Sequence, residues 1–396
     1  MTDIKRGVAI DIGTTTVAVY LVDMENGAVV ATSGDTNAQN IYGADVTSRI
    51  RYSSDNGHEK MTKIIREQLS AMIKATCVSA DVKLEQISNI SIAANTVMQH
   101  LLADFSPVTL GKAPFTPVSL FGGELPVWDN LPVAEGTKIY YAPAISAYVG
   151  GDITTGLYAA DFEREHKPVL FIDIGTNGEI VLKHKDTYYC CATAAGPAFE
   201  GAEITKGMSA INGAIDHVKL NSSGDIEYTV IGGGAPKGLC GSGLLDLLAI
   251  LLDTGAVDKT GRLLEKDKFY ISEDPQIYIT SEDIRKLQLA KAAIAAGIEV
   301  LLHFAGITED DISLLALAGG FGSYMNIQSA ARIGLIPKRL LPVAKTLGNT
   351  AGEGAVKTLI KKDAYESLEN IRKHCEYVEL SSITFFNDRF VEQMEF

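Results

Sequence analysis

Cysteine is scarce in this chain and poorly spaced for chemistry. The 396 residues hold five, Cys77, Cys190, Cys191, Cys240 and Cys375, with no C-x-x-C pair. Adjacent Cys190 and Cys191 are badly disposed to ligate one metal, so spacing speaks against a disulfide framework and against an iron–sulfur cluster in this chain. Positive charge is also in short supply, with Lys+Arg 35 against Asp+Glu 49 and a formal net charge of −14. No positive run exceeds a pair such as Lys361-Lys362. A surface that tracks phosphates along a strand needs clustered Lys and Arg, so nucleic acid is not expected as a partner. The longest charge-free stretch, 312–331, holds Gly319-Gly320, Gly322, Asn326 and Gln328, which no bilayer helix tolerates, and no membrane span is expected. The opening Met-Thr-Asp-Ile-Lys-Arg lacks an apolar export core, and the expected address is cytoplasmic. Neither G-x-S-x-G nor H-E-x-x-H occurs, which removes the commonest hydrolase and zinc-protease readings.

What the chain does have is the composition of a globular protein, 46% hydrophobic and 21% charged, and a length that suggests two or three domains. It also repeats itself. Residues 7–23, with Asp-Ile-Gly-Thr at 11–14, return in form at 169–184, with Asp-Ile-Gly-Thr at 173–176. Each copy is an apolar β-rich run, a polar Gly-Thr turn and a second β-rich run, the pattern of a hairpin with a functional tip. Two similar halves follow, expected at 1–165 and 166–396, with a Pro- and Gly-rich irregular insert in the first and a C-terminal segment of the second that returns to the first. A helix is expected over 58–78 from its apolar face Met61, Ile64, Ile65, Leu69, Met72 and Ile73, and another over 148–161. Ser281 reads as the N-cap of a third, running to about Phe304, with Lys291 on its apolar stripe. A strand at 377–380 and a short helix are expected at the end. Mixed strands and helices in this order indicate α/β architecture.

A bound phosphate chain needs inward-facing backbone N–H groups, hydroxyl donors and a magnesium ion held through carboxylate and water. The first turn offers Asp11 for the metal, and Gly13, Thr14, Thr15 and Thr16 for the phosphates; the second offers Asp173, Gly175, Thr176 and Asn177. Taken singly, each is equally an ordinary turn of turn-forming residues. As a pair they are expected to act together. A third element, Leu317-Ala-Gly-Gly-Phe-Gly322, follows an apolar strand, and Gly319, Gly320, Phe321 and Gly322 are expected beside a base or ribose. Lys291 has two readings, a snorkelling stem or a nucleotide contact. Asp152, in Gly150-Gly-Asp-Ile153, is expected to orient the water of a hydrolysis, although helix stabilisation explains an acidic first-turn residue equally. The stretch 228–243, rich in glycine, only superficially suggests a dinucleotide fingerprint: Lys237 is followed by Gly238, not Ser or Thr.

Two Asp-Gly-Thr hairpins, a Gly-Gly-x-Gly turn and segments at 146–160 and 351–361 placed as crossing helices resemble the acetate and sugar kinase, heat-shock chaperone and actin superfamily. The resemblance implies a two-lobed actin-like ATPase with ribonuclease H-like halves, and ATP with magnesium in a cleft between lobes. Further runs, Asn95-Thr-Val-Met-Gln-His-Leu-Leu102, Ala113-Pro-Phe-Thr-Pro117, Gly196-Pro-Ala-Phe-Glu-Gly-Ala202 and Gly238-Leu-Cys-Gly-Ser-Gly243, resemble the ATPase region of the reductive activators of corrinoid proteins. That family implies ATP-dependent help with one-electron reduction of Co(II) to Co(I) on a corrinoid protein partner, and leaves a homodimer open. Its members carry an additional iron–sulfur domain that this sequence lacks, so either a separate ferredoxin-like donor supplies the electron or the chain is a truncated ATPase region. Two other readings stand beside this one on the same fold: a small-molecule kinase with Asp152 as base, and an actin-like scaffold whose polymerisation the nucleotide controls.

Overall fold

The computed structural model describes residues 5–396 except 130, 132, 265–266, 274–275 and 323. The opening residues Met1 to Ile4, and Pro132 of the insert, lie outside the described residues. The chain forms two compact units, one of residues 1–165 and 349–377, the other of residues 166–348 and 378–396.

The first unit is built on strands β1 (Arg6–Ile12), β2 (Thr16–Asp23) and β3 (Val29–Thr36), helices α1 (Val46–Asn56) and α2 (Glu59–Ser79), strand β4 (Ile87–Ala94), helix α3 (Thr96–Leu102), strands β5 (Gly123–Leu125) and β6 (Lys138–Tyr141), and helix α4 (Gly151–Ala159). Its six-stranded sheet has the order β3-β2-β1-β4-β6-β5, with β1 antiparallel to β2 and parallel to β4. Alternation of Val8, Ile10 and Ile12 with smaller or polar residues gives β1 one apolar face, and α2 covers it with Met61, Ile65, Leu69 and Ile73, all buried. The insert is mostly irregular, as its prolines require. Buried His100 organises it, accepting from the Val118 backbone N–H through Nε2 at 3.0 Å.

The second unit repeats the plan with β7 (Val169–Ile174), β8 (Gly178–His184) and β9 (Thr187–Thr193), then β10 (Ala214–Leu220), β11 (Ile226–Val230), β12 (Gly238–Leu239), α5 (Gly241–Asp253), β13 (Lys268–Glu273), β14 (Gln276–Thr280), α6 (Ser281–Ala305), β15 (Leu314–Ala318), α7 (Gly319–Gly322), α8 (Ile327–Arg332) and β16 (Ala344–Gly348). Its main sheet runs β16-β15-β7-β8-β9, with β7 antiparallel to β8 and parallel to β15. Strand order and direction therefore match β6-β4-β1-β2-β3 of the first unit. Helix α6 is long and apolar enough to cross a membrane, but 78% of its most apolar window is buried within the protein, and it serves as the core helix under β8 and β9. Its N-cap is Thr280, not Ser281. The Thr280 hydroxyl accepts from the Asp283 N–H while the Asp283 carboxylate accepts from the Thr280 N–H, a reciprocal box that Ser281 is one residue too late to make.

The chain re-enters the first unit at Asn349 with α9 (Thr350–Ile360) and α10 (Ala364–Lys373), and α11 (Thr384–Glu392) then closes the second. Alanines 9, 93, 351 and 355 form a small cluster that lets α9 lie close on the sheet, and the Ser91 hydroxyl donates to the Ala355 carbonyl at 2.6 Å. The strand expected at 377–380 forms earlier, at Cys375–Tyr377, and Leu380–Ser382 is a 3-10 turn capped by the Glu379 side chain.

Candidate active site

The first turn sits between paired residues Ile12 and Val17 and is closed by the Gly13 N–H donating to the Thr16 carbonyl at 2.9 Å. Its three preceding carbonyls are all tied down from behind. Asn37 donates from Nδ2 to the Gly13 carbonyl and from its backbone N–H to the Thr15 carbonyl, each at 2.8 Å, and Arg49 donates from its guanidinium to the Thr14 carbonyl at 2.6 Å. In a trans peptide the C=O and N–H point opposite ways, so anchoring successive carbonyls inward turns the positive ends of those peptide dipoles outward. Thr14 is buried and its hydroxyl accepts from Asn95 Nδ2 at 3.1 Å, whereas Thr16 opens β2 and is exposed. Asn95 is also the N-cap of α3.

Asp11 is the last polar residue of β1 before this turn. One oxygen accepts from Asn349 Nδ2 at 2.8 Å, and the Asn349 Oδ1 caps α9 by accepting from the Gly352 N–H at 2.9 Å. Burial pushes the Asp11 carboxyl up to about 6, against the pull of the Asn349 hydrogen bond. Asp152 lies in the first turn of α4, and burial first and the Asp11 charge second push it up to about 7. The glycines before it are structural requirements: a Cβ at Gly150 would lie 2.5 Å from the Asn95 Cα, and one at Gly151 would lie 2.6 Å from Gln99 Nε2. A buried carboxylate beside a second carboxyl that its charge helps to raise suits a hard divalent cation that keeps several waters. No cluster of three or more His, Cys, Asp or Glu side chains suited to a metal occurs among the described residues. A two-carboxylate magnesium site needs none.

In the second unit the turn is one residue shorter, lying between Ile174 and Gly178, and closes by the Gly175 N–H donating to the Asn177 carbonyl at 3.0 Å. The buried Thr176 hydroxyl donates to Glu200 Oε2 at 2.8 Å. Gly319 has φ +86°, and a Cβ there would collide with the Asp173 carboxylate and come within 2.8 Å of the Ile174 carbonyl. The lack of a side chain at Gly319 allows β15 to end against the hairpin. Gly320 does face open space, and Phe321 stacks on Phe199 with ring centroids 5.2 Å apart. The 228–243 stretch resolves into β11, β12 and α5, and Gly241 leaves room for the Phe199 carbonyl and the Phe321 ring.

Lys291 corrects a sequence expectation. It neither snorkels nor joins these residues. The residue is 1% exposed, and its ammonium donates to the Glu395 carbonyl at 2.6 Å and lies 5.4 Å from the Phe396 ring centroid, beside a cavity of about 240 Å³ formed with residues 331–338 and the chain's end. Its place on the α6 stripe was legible, but the cover over that stripe comes from the C-terminal residues. Sequence reasoning also missed Asn37, Arg49, Asn349 and Glu200. Asn349, an Asn placed as N-cap before Thr350-Ala-Gly352, is the one with a local signal.

Twin sheets of matching strand order, each tipped by an Asp-Ile-Gly-Thr turn, with a carboxylate pair and an outward-facing peptide turn in the first, define an actin-like ATPase fold of the ASKHA class. A family model described as the C-terminal domain of RACo, the ASKHA domain, matches residues 167–396, and one described as the RACo middle region matches residues 6–165. The corrinoid activation enzyme RamQ of Eubacterium limosum is 35% identical, covering 98% of this chain and 69% of that protein. The [Co(II) methylated amine-specific corrinoid protein] reductase of Methanosarcina barkeri is 24% identical, covering 98% of this chain and 77% of that protein. A solved reductive activator for corrinoid,iron-sulfur protein matches with a TM-score of 0.89 at 37% identity, covering all of this chain and 66% of its own. The chain belongs to the RACo family, the reductive activators of corrinoid proteins, and spans about two-thirds to three-quarters of the length of these relatives.

Proposed function

We propose that this chain is the ATPase portion of a corrinoid activator, which uses ATP binding and hydrolysis to assist reduction of Co(II) to Co(I) on a corrinoid protein. The electron comes from an iron–sulfur component outside these residues, either a separate protein or a part of the protein that this chain does not include. Both hairpin turns contribute to binding one ATP: Gly13, Thr14, Thr15 and Thr16 from the first, and Gly175, Thr176 and Asn177 from the second, with Gly319 to Gly322 toward the adenosine. Asp11 and Asp173 are the carboxylates that would hold a magnesium ion through its waters. When bound, that ion screens the triphosphate charge. Asp152, whose carboxyl titrates near neutrality, accepts a proton from the attacking water and holds it in line, as general-base work requires.

The observation that carries this reading is the first turn itself, whose three anchored carbonyls and adjoining carboxylate pair suit a phosphate chain with its cation. Free energy explains the need for ATP, since roughly each 59 mV of uphill one-electron potential costs about 1.4 kcal/mol. Coupling requires two forms of the chain that differ in affinity for the corrinoid partner. Asn349 offers the route: it binds the Asp11 carboxylate and caps α9 at the point where the chain re-enters the first unit. Cobalt reduction is followed by absorbance with an artificial low-potential donor. ATP is expected to raise the rate or the extent of Co(I) formation and a non-hydrolysable analogue to fall short of it; no difference between ATP, analogue and no nucleotide rejects the coupling.

A further inference from the structure

Behind the first turn lies a charge that the proposed site does not use directly. Arg49, near the start of α1, is 0% exposed and is among the largest fully buried side chains of the described residues. Each hydrogen bond of its guanidinium goes to a neutral acceptor: the Gly43 carbonyl at 2.9 Å, Gln39 Oε1 at 3.3 Å, Met98 Sδ at 3.1 Å, Asn40 Oδ1, and the Thr14 carbonyl at 2.6 Å. The nearest acidic influence, Asp45, is the helix cap, accepting from the Ser48 N–H at 2.7 Å.

A buried charge without a bonded counter-ion is costly, and burial pulls the group down, to about 10, which leaves it protonated at neutral pH. Its field therefore reaches an anion across the Gly13-Thr14-Thr15 turn, whose buried Thr14 carbonyl it bonds directly. The same hydrogen bond that brings the guanidinium against the Thr14 carbonyl also fixes which way that peptide faces.

We infer that Arg49 is a buried counter-charge and positioning residue for the phosphates of a nucleoside di- or triphosphate, acting through the Thr14 peptide. It rests on the reading that the first turn holds those phosphates, and deepens it. Magnesium is not needed for the effect, because the charge and the peptide orientation belong to the folded chain.

The test is calorimetric binding of ATP, ADP and adenosine to the whole chain and to two variants. Arg49→Gln removes the charge. Asn40→Asp keeps an acceptor opposite Arg49 but places a carboxylate there, neutralising the field without dismantling the bracing. Both are expected to bind ATP and ADP about tenfold or more weakly, with adenosine affinity unchanged within twofold. Asn40→Asp should at the same time unfold at an equal or higher temperature, an outcome opposite in sign to that of a merely structural defect. Should Arg49→Gln fail to fold, Asn40→Asp decides alone. Unchanged ATP affinity in a folded Asn40→Asp, or equal losses for ATP and adenosine, overturns the inference. Absence of ATP binding by the unaltered chain instead overturns the underlying assignment of the turn.

Discussion

The two Asp-Ile-Gly-Thr turns share a tetrapeptide and a strand frame, yet each has acquired a different setting. The first has its carbonyls drawn back by Asn37 and a buried guanidinium, and its aspartate is held by Asn349 beside a second carboxylate. The second places its threonine hydroxyl on Glu200 and its aspartate against Gly319, so that it is flanked by acid and by close-packed backbone. Equal sequence at the tip does not give equal electrostatics, because the surrounding groups come from elsewhere in the chain.

Removing the carboxylate of the first turn should have the largest effect. Asp11→Asn is expected to lower ATP turnover by about 100-fold or more, since the carboxylate proposed to hold the ion is lost. Steady-state phosphate release measures it, and a loss under threefold would mean that the first turn is not the catalytic one. Gly319→Ala attacks the second turn through its backbone. A side chain at φ +86° and a clash with Asp173 should cost about 1–3 kcal/mol, read as a lower unfolding temperature, whereas Gly320→Ala, which faces open space, should be close to neutral.

The pH dependence sharpens the contrast further. Asp11 and Asp152 are held above the ordinary 3.8, at about 6 and about 7. The folded chain therefore binds these protons more tightly than the unfolded chain does. The stability they contribute is present at low pH and is lost as pH rises through those two values. Metal-free protein should accordingly melt at a lower temperature at pH about 8 than at pH about 5.5, and Asp152→Asn should flatten that slope. A slope as steep as that of the unaltered chain would place the titration elsewhere. Asn349→Ala removes both the α9 cap and the donor to Asp11, for which a loss of about 1 kcal/mol is expected, together with a higher magnesium requirement in nucleotide binding. Smallest of all on nucleotide affinity is Lys291→Met, expected to leave it unchanged while making the C-terminal residues easier to proteolyse; a marked fall in ATP affinity would restore Lys291 to the site.

These contrasts also separate what a sequence conveys from what only the folded chain reveals. The repeated hairpins, α2 and α6 were legible because their evidence is local: alternation, a 3.6-residue period and turn residues. The acidic pair was half legible, since Asp11 and Asp152 each follow a local rule but nothing in sequence says that the Asp11 charge raises Asp152. Arg49 was invisible. It stands in an unremarkable polar helix, and its meaning depends on a loop 35 residues away. Glu200 fell inside a recognised run without a role because its partner Thr176 lies on another element. Lys291 was misassigned for a related reason: period identifies the face of a helix, not what covers it.

The most direct test of the account is a calorimetric titration of magnesium-ATP into the chain, its Thr14→Val variant and its Thr176→Val variant. One ATP per chain, bound more weakly by both variants, is the predicted result. Binding that is lost with Thr14→Val but unmoved by Thr176→Val, or a stoichiometry of two, would contradict the claim that the two turns serve a single nucleotide.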